Sequence, residues 1–273
     1  MLINRAFPRT PSDTGGDANG QDPLTLPTKG THNMAEHKME VDRLQQIRDH
    51  VEEIELEIPL EELCERYEKL YTGAVNDVMR ELCLPNQALP SNIVPLRDEM
   101  VVCGEAFTVK AVKDPTMGGE LAHRVEMLDK LRPGHVVIWN ANGDDHASHW
   151  GGVMTRAAIG RGCRGAIVDG GLRDTKDVLA QNFPIWYRYR TSNGALAHTK
   201  IVAHQVPIFV GDLVIKPGDI LLADIDGAVV IPRKIAVAVL KRAEQIENNE
   251  EEIKEWVDAG LSAAEIHDRG GYF

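Results

Sequence analysis

The spacing of apolar residues predicts helices near the beginning of the chain and short strands in its middle. Apolar residues recur at helical spacing from Met39 to about Glu57, after Pro59, and from Thr72 to Leu82. Short β-branched runs bounded by turn residues predict strands at 101–112, 135–139, 165–169, 185–188, 208–210, 213–215, 220–224 and 228–231. Further helices are expected at 119–131, 150–161, 175–182 and 234–259, followed by a short tail helix.

This order of elements indicates an α/β protein. The strands follow one another too closely for a plain doubly wound sheet, which favours a compact β core or barrel covered by helices. Residues 1–35 are rich in Gly, Pro, Thr, Asp and Asn without apolar periodicity, so a disordered leader is expected there. We expect one α/β domain over 36–240 and a C-terminal helical extension over 241–273.

Composition and charge exclude several classes of protein. The net charge of −12 argues against nucleic acid or an anionic membrane surface as a partner. The sequence has no apolar run long enough to span a membrane and no signal-peptide core, so we expect a cytoplasmic protein. The four cysteines are far apart, which predicts reduced thiols rather than a zinc site or disulfides: Cys64, Cys83, Cys103 and Cys163.

The segment Gly165–Asp174 carries the strongest chemical signal. An apolar strand runs into Asp-Gly-Gly, whose paired glycines predict a tight exit, and Arg173 and Asp174 follow. The end of a buried strand is a common ligand site in α/β proteins. Arg173 suits a carboxylate, and Asp174 suits a magnesium-like ion. The alternative is a surface ion pair that starts a helix.

A second signal is the glycine-rich helix start at Gly151-Gly152. Its exposed N–H groups form either an anion cradle or a simple helix cap. If this start neighbours Arg173 and Asp174, a small carboxylate ligand would contact the backbone amides on one side and Arg173 on the other. A divalent ion on Asp174 would then polarise the adjacent keto oxygen and stabilise an enolate.

Other polar clusters leave alternatives open. Asp144, Asp145 and His146 form either a metal site or, as we favour, a solvated turn. His198 and His204 flank a predicted loop, where structural or surface roles are favoured over substrate contact. Phosphate-loop and Gly-x-Ser-x-Gly motifs are absent from the sequence.

Together these segments resemble the RraA-like family, which includes the class II 4-hydroxy-4-methyl-2-oxoglutarate/4-carboxy-4-hydroxy-2-oxoadipate aldolases. The resemblance covers about residues 58–265, and its strongest parts are Arg164–Asp174 and Lys216–Pro232. It extends to Thr72–Val78, Gly104–Val109 and Trp150–Arg161. It implies an RraA-like β/β/α swivelling-domain-like core with flanking helices, assembled as a trimer or hexamer with sites between subunits.

The resemblance also implies roles for individual residues. Arg173 would bind substrate, and Asp174 would bind Mg²⁺ or Mn²⁺. Four consecutive residues would hold the substrate carboxylate: Gly151, Gly152, Val153 and Met154. Glu250, or alternatively Glu247, would hold metal-bound water in the adjacent subunit's site, because the C-terminal extension would pack at the subunit interface.

One position departs from the pattern of the aldolases. They carry an Asp where this chain has Gly152, so the carboxylate that helps to orient metal-bound water in them is missing at this position. His149, or an acidic residue at 144–145, is the candidate to compensate for it.

The leading hypothesis is a divalent-metal-dependent lyase that cleaves a small (hydroxy-)oxo acid through a pyruvate enolate. Retro-aldol cleavage and oxaloacetate-type decarboxylation both fit. The alternative is a non-catalytic regulator that binds a protein partner such as a ribonuclease. Regulators of this family tend to lack the intact Arg-Asp pair, so Arg173-Asp174 favours the enzyme. The expected partners are an oxo-acid substrate and further copies of this chain, with no nucleic acid and no membrane.

Overall fold

The longest strand, β2 (Val102–Lys113), organises the sheet in the computed structural model, which describes residues 54–271. Beside it lie three mutually parallel strands, β3 (His135–Asn140), β5 (Gly165–Leu172) and β6 (Ile185–Arg190). The other edge of β2 pairs antiparallel with β10 (Ile220–Asp224), and β10 pairs with β11 (Gly227–Ile231). The remaining strands are β1 (Val94–Pro95), β4 (Ser148–Trp150), β7 (Thr199–His204), β8 (Ile208–Val210) and β9 (Leu213–Ile215).

Helices cover this sheet. They are α1 (Leu60–Tyr67), α2 (Thr72–Glu81), α3 (Glu120–Asp129), α4 (Gly152–Gly160), α5 (Thr175–Ala180), α6 (Ala236–Asp258) and α7 (Ala263–Asp268). A single 3₁₀ turn at Arg233–Ile235 leads into α6. Among the helices within residues 54–271, none combines the length and apolarity needed to cross a membrane.

One short segment nearly closes the sheet into a barrel. The N–H of Leu89 donates to the carbonyl of Ala228 in β11 at 2.8 Å. A few residues later, β1 pairs with β6 at the opposite end of the strand order. Because the same segment pairs with both ends of the sheet, few strand edges stay open. The expected α/β fold with a barrel-like core and flanking helices is confirmed.

Strand alternation builds two apolar cores on the two faces of β10. Leu221 and Ala223 face the barrel interior, whereas Ile220 and Leu222 pack against the helix layer of α1, α2 and α6. The buried positions of α6 end at Ile246, so its second half projects beyond the core. This helix runs unbroken across the expected boundary at residue 240, and the role of residues 241–273 at a subunit interface stays a prediction.

The secondary structure differs from the sequence-based prediction in several places. Trp150, expected in a helix, lies in β4, which pairs with the end of β5. The expected loop before His204 is the strand β7, which pairs with β2. The glycine pair does not end β5: a Cβ on Gly170 would lie 2.5 Å from His149 Nδ1, and one on Gly171 would collide with the carbonyl of Ala147. The glycines therefore make room for the His149 side chain and the Ala147 backbone instead of forming a turn.

Two other predictions cannot be compared with the structure. The expected leader at residues 1–35 and most of the expected helix from Met39 to Glu57 lie outside the described residues.

A buried ion pair ties α3 to β7. The side chain of Glu120 is 2% exposed, and its Oε1 accepts hydrogen bonds from the guanidinium of Arg124 one turn later. Its Oε2 accepts the backbone N–H of Ile201 in β7 at 2.8 Å. Both carboxylate oxygens are therefore paired without access to water, which makes either partner costly to remove alone.

We expect Glu120→Ala to lower the free energy of unfolding by about 3–5 kcal/mol, because it removes the carboxylate partner of the largely buried Arg124 and leaves the backbone N–H of Ile201 buried without an acceptor. Urea unfolding followed by circular dichroism measures this. Glu126→Ala on the same helix is the control, since its exposed carboxylate pairs with Lys130 in solvent and should matter little. Equal losses in the two variants would contradict the assignment.

A buried histidine connects β4 to β5. His149 is fully buried, and its Nδ1 accepts the N–H of Gly171 at 3.3 Å. Its Nε2 lies 3.6 Å from Asp144 Oδ2, beyond hydrogen-bond distance. Burial lowers the pKa of His149 from 6.5 to about 4, against the opposing effect of Asp144, so this imidazole is neutral near pH 7.

This histidine should make stability depend on pH. In the unfolded chain it binds a proton near pH 6.5, whereas in the folded chain it does so only near pH 4. Folding stability is therefore complete above pH 6.5 and falls as the pH drops toward 4, by roughly 3 kcal/mol. We expect His149→Asn, whose amide oxygen replaces Nδ1 as the acceptor for Gly171, to make this slope shallower. The exposed His146→Asn should keep it, and a slope unchanged in His149→Asn would disprove the prediction.

Candidate active site

The structure brings the Arg-Asp pair to the glycine-rich helix start. The N–H of Arg173 donates to the carbonyl of Trp150 at 3.1 Å, which joins the end of β5 to the end of β4. Helix α4 begins immediately afterwards, and the N–H of Gly152 donates to Asp174 Oδ2 at 3.2 Å. Arg173 Nε lies 3.7 Å from the same oxygen. The two segments singled out in the sequence are thus direct neighbours.

Asp174 has an unusual backbone conformation. Its φ of 54° and ψ of 30° lie in the left-handed region, which aspartate adopts more readily than most residues. Residues held there store strain of about 1–3 kcal/mol and cluster at functional sites. The side chains of Arg173 and Asp174 are 47% and 46% exposed, so neither serves the core.

A cavity of about 310 Å³ opens beside this pair, a size suited to a small molecule. It is lined by the start of α4 with Arg173 and Asp174, by α3 and by the loop at 194–196. The lining includes Gly151, Val153 and Met154 together with apolar side chains of α3: Leu121, Val125 and Leu128. The cavity therefore combines an apolar wall with a few convergent polar groups.

Sequence reasoning missed a second cation in this cavity. Arg124 reaches it from α3, where Nη1 lies 2.8 Å from the sulfur of Met154 and the guanidinium lies 5.5 Å from the Trp139 ring. Its charge is balanced by the buried Glu120. The i,i+4 spacing of Glu120 and Arg124 predicts their pairing, but nothing in it indicates the cavity.

Sequence reasoning also missed a carboxylate beside Gly152. A Cβ built on Gly152 would collide with Asp177 Oδ2, so the carboxylate of Asp177 lies where a side chain at 152 would project. Asp177 belongs to the first turn of α5, and Gln181 Nε2 donates to its Oδ2 at 3.1 Å. The position that departs from the aldolase pattern thus has a carboxylate next to it.

The 144–149 segment differs from the solvated turn that was favoured. Asp144 is 3% exposed and accepts the N–H of Ala147 at 2.9 Å and the hydroxyl of Tyr189 at 3.3 Å, so that prediction is wrong for this residue. Asp145 and His146 are exposed, as a solvated turn requires. His149 lines the cavity.

The remaining candidates lie away from the cavity within the described chain. The Tyr71 hydroxyl donates to Glu250, and neither Glu250 nor Glu247 is among the residues that line the cavity. Their role in an adjacent subunit's site stays a prediction. His204 stacks on Phe107 with ring centroids 5.9 Å apart, which agrees with a structural role, and His198 packs edge-on against His146.

The donor set restricts which metal would fit. Between residues 54 and 271, no group of three or more His, Cys, Asp or Glu side chains is arranged to hold an ion. Asp174 alone offers a half-exposed carboxylate at the cavity. Mg²⁺ usually keeps several waters and binds proteins through one or two carboxylates, so Asp174 fits a hydrated Mg²⁺ or Mn²⁺ but not a tetrahedral zinc site.

Comparisons with solved structures relate the chain to proteins of the same fold. A structure described as "novel cellulases from microbes associated with the gut ecosystem" is 48% identical, with a TM-score of 0.75 over 78% of this chain and 96% of the other. Streptomyces coelicolor RraAS2, described as an unusual member of the RNase ES inhibitor RraA protein family, is 27% identical. Its TM-score is 0.65 over 72% of this chain and 98% of that chain.

Curated relatives extend the comparison. A Halalkalibacterium halodurans protein named "Putative 4-hydroxy-4-methyl-2-oxoglutarate aldolase" is 35% identical over 60% of this chain and 75% of its own length. The chain also matches DlpA of Legionella pneumophila at 26% identity over 62% of this chain, and there it spans only 28% of the relative. The profile of the RraA-like family, described as Aldolase/RraA, matches residues 72–230, more than half of the sequence. The resemblance inferred from the residues is thereby confirmed, and the chain belongs to the RraA-like family.

Proposed function

We propose that this chain is a divalent-metal-dependent lyase that breaks a carbon–carbon bond in a small (hydroxy-)oxo acid. The observation that carries the proposal is the convergence of Arg173, Asp174 and the start of α4 on one cavity of about 310 Å³. A guanidinium group, a carboxylate and helix N–H groups can together bind a small acid and stabilise an enolate.

Substrate binding would use two kinds of donor. Arg173 presents a planar fork to a carboxylate. The N–H groups of Val153 and Met154 lie in the first turn of α4, where a helix supplies no acceptor of its own. The N–H of Gly152 donates to Asp174 here, so we assign the substrate carboxylate to the two later N–H groups rather than to the whole of 151–154.

Bond cleavage would leave an electron pair on the carbon next to the keto group. In retro-aldol cleavage the substrate hydroxyl gives up its proton to water, the carbon–carbon bond breaks and the departing fragment is a carbonyl compound. In decarboxylation the departing fragment is carbon dioxide. Both leave pyruvate enolate, which takes up a proton to give pyruvate. Mg²⁺ or Mn²⁺ held by Asp174 would supply positive charge beside the keto oxygen. Arg173 and the α4 N–H groups would orient the acid, and Leu121 and Val125 would contribute apolar surface to the cavity lining.

Assembly belongs to the same proposal. We infer a homotrimer or hexamer in which a glutamate of α6, Glu250 or Glu247, reaches the neighbouring subunit's site. The second half of α6 projects beyond its own core and carries these carboxylates, which supports the inference.

A regulator that binds a ribonuclease is the competing hypothesis. The net charge of −12 is compatible with a basic protein partner, and the Streptomyces relative belongs to a family of ribonuclease inhibitors. The half-exposed Arg173-Asp174 pair at a small-molecule cavity favours the lyase, because a protein-binding surface needs no such cavity.

The decisive experiment assays pyruvate release from a panel of 4-hydroxy-2-oxo acids and oxaloacetate with Mg²⁺ or Mn²⁺. We expect Asp174→Asn to lower metal-dependent turnover by about 100-fold or more, because the ion loses its charged ligand. Arg173→Lys should raise KM roughly tenfold, since the bidentate contact is lost while the charge stays.

Arg161→Lys and Asp129→Asn are matched controls, because they alter an exposed Arg-Asp pair away from the cavity and should leave turnover unchanged. Absence of pyruvate from every acid with either metal would reject the lyase and leave the regulator.

A further inference from the structure

Two carboxylates pack against the same two glycines. A Cβ on Gly151 would lie 2.7 Å from Asp174 Oδ2, and one on Gly152 would collide with Asp177 Oδ2. Both acidic side chains therefore fill space that an ordinary side chain on α4 would occupy. They also line a common open depression of about 460 Å³ together with Thr175, Lys176 and Ala180. The backbone of Gly151-Gly152 thus sets where both carboxylates lie.

Asp177 is held in place by a neutral group. Gln181 follows it by one helical turn, and its Nε2 donates both to Asp177 Oδ2 and to the carbonyl of Gly152, each at 3.1 Å. This amide joins α5 to the first residue of α4 and fixes the carboxylate without cancelling its charge. Asp174, in contrast, lies 3.7 Å from the cation of Arg173. Arg173 therefore partly compensates the negative charge of Asp174. The carboxylate of Asp177 adds a second negative charge on the same side of the site.

We propose that Asp177 is a positioning residue for the ion site of Asp174, whose carboxylate accepts hydrogen bonds from water around the bound Mg²⁺ or Mn²⁺. The inference rests on the function proposed above. A hydrated divalent ion keeps water in most of its shell, and a fixed anion beside its one protein ligand orients that water and adds attraction. Asp177 meets this requirement because its carboxylate lines the same depression as Asp174. Gln181 links that carboxylate to the backbone carbonyl of Gly152.

Residues 152 and 177 are coupled by this arrangement. The carboxylate of Asp177 can keep its present position only while residue 152 has no side chain. An aspartate introduced at 152 would need the space that Asp177 now fills. The pair can therefore be exchanged: Gly152→Asp combined with Asp177→Ala moves the carboxylate to the other element while the number of acidic groups stays the same.

The test measures Mn²⁺ affinity of the full chain by calorimetry without substrate, alongside kcat/KM in the pyruvate assay. We expect Asp177→Asn to weaken Mn²⁺ binding about tenfold. Gly152→Ala should produce a similar loss, because its methyl group displaces Asp177. The exchange variant Gly152→Asp/Asp177→Ala should recover most of the affinity. Asp129→Asn is the surface control.

The outcomes separate this inference from the proposed function. If Asp174→Asn weakens Mn²⁺ binding while Asp177→Asn and Gly152→Ala bind as the wild type does, Asp177 has no positioning role and the lyase proposal stands. If the wild type and Asp174→Asn bind Mn²⁺ equally weakly, the proposed function fails and the inference with it. Recovery in the exchange variant supports the inference, because a variant that had merely lost structure would not regain affinity.

Discussion

The site depends on the close approach of β4 to β5, which Gly170 and Gly171 make possible. Any side chain at either position would meet His149 or the carbonyl of Ala147, and β4 would be forced away from the sheet. With β4 in place, Trp150 pairs with Leu172, and α4 begins beside the residues that end β5. Tight interiors cannot absorb even a methyl group without displacement. Arg173 and Asp174 therefore lie beside the start of α4 because β4 packs closely against Gly170 and Gly171.

Some charged groups of the cavity are paired within the protein, and others can contact a ligand. Arg124 forms an ion pair with the buried Glu120, so its charge is already neutralised. Its side chain lines the cavity mainly by packing on Trp139 and Met154. Arg173 is half exposed and only 3.7 Å from Asp174, so it can exchange that contact for an incoming carboxylate. His149, which lines the same cavity, is kept neutral by burial and does not compete for an anion. An acidic ligand would therefore meet the positive charge at the end where Asp174 lies.

Much of the fold follows from local patterns, and the rest depends on contacts between distant segments. The strands 135–139 and 220–224 were predictable because each is an apolar run bounded by turn residues. The strand β7 was not, because the apolar Val202 lies on its exposed face and breaks the alternation of apolar and polar residues. Arg173 and Asp174 were identifiable because they directly follow a strand in sequence. Arg124 and Asp177 were not, since each reaches the site from a helix whose orientation is set only by tertiary packing.

The departure at Gly152 illustrates why a single aligned position is a weak guide to mechanism. Considered alone, glycine there removes a carboxylate that the aldolases carry, and the loss argues against their chemistry. In the folded chain the absence of a side chain is what admits Asp177, which is fixed by Gln181 to the carbonyl of that same glycine. A side chain at 152 would displace the carboxylate of Asp177 from its present position, so the effect of either residue depends on the other. In this chain the second carboxylate beside Asp174 is therefore supplied by α5, and the missing side chain at 152 is what leaves room for it.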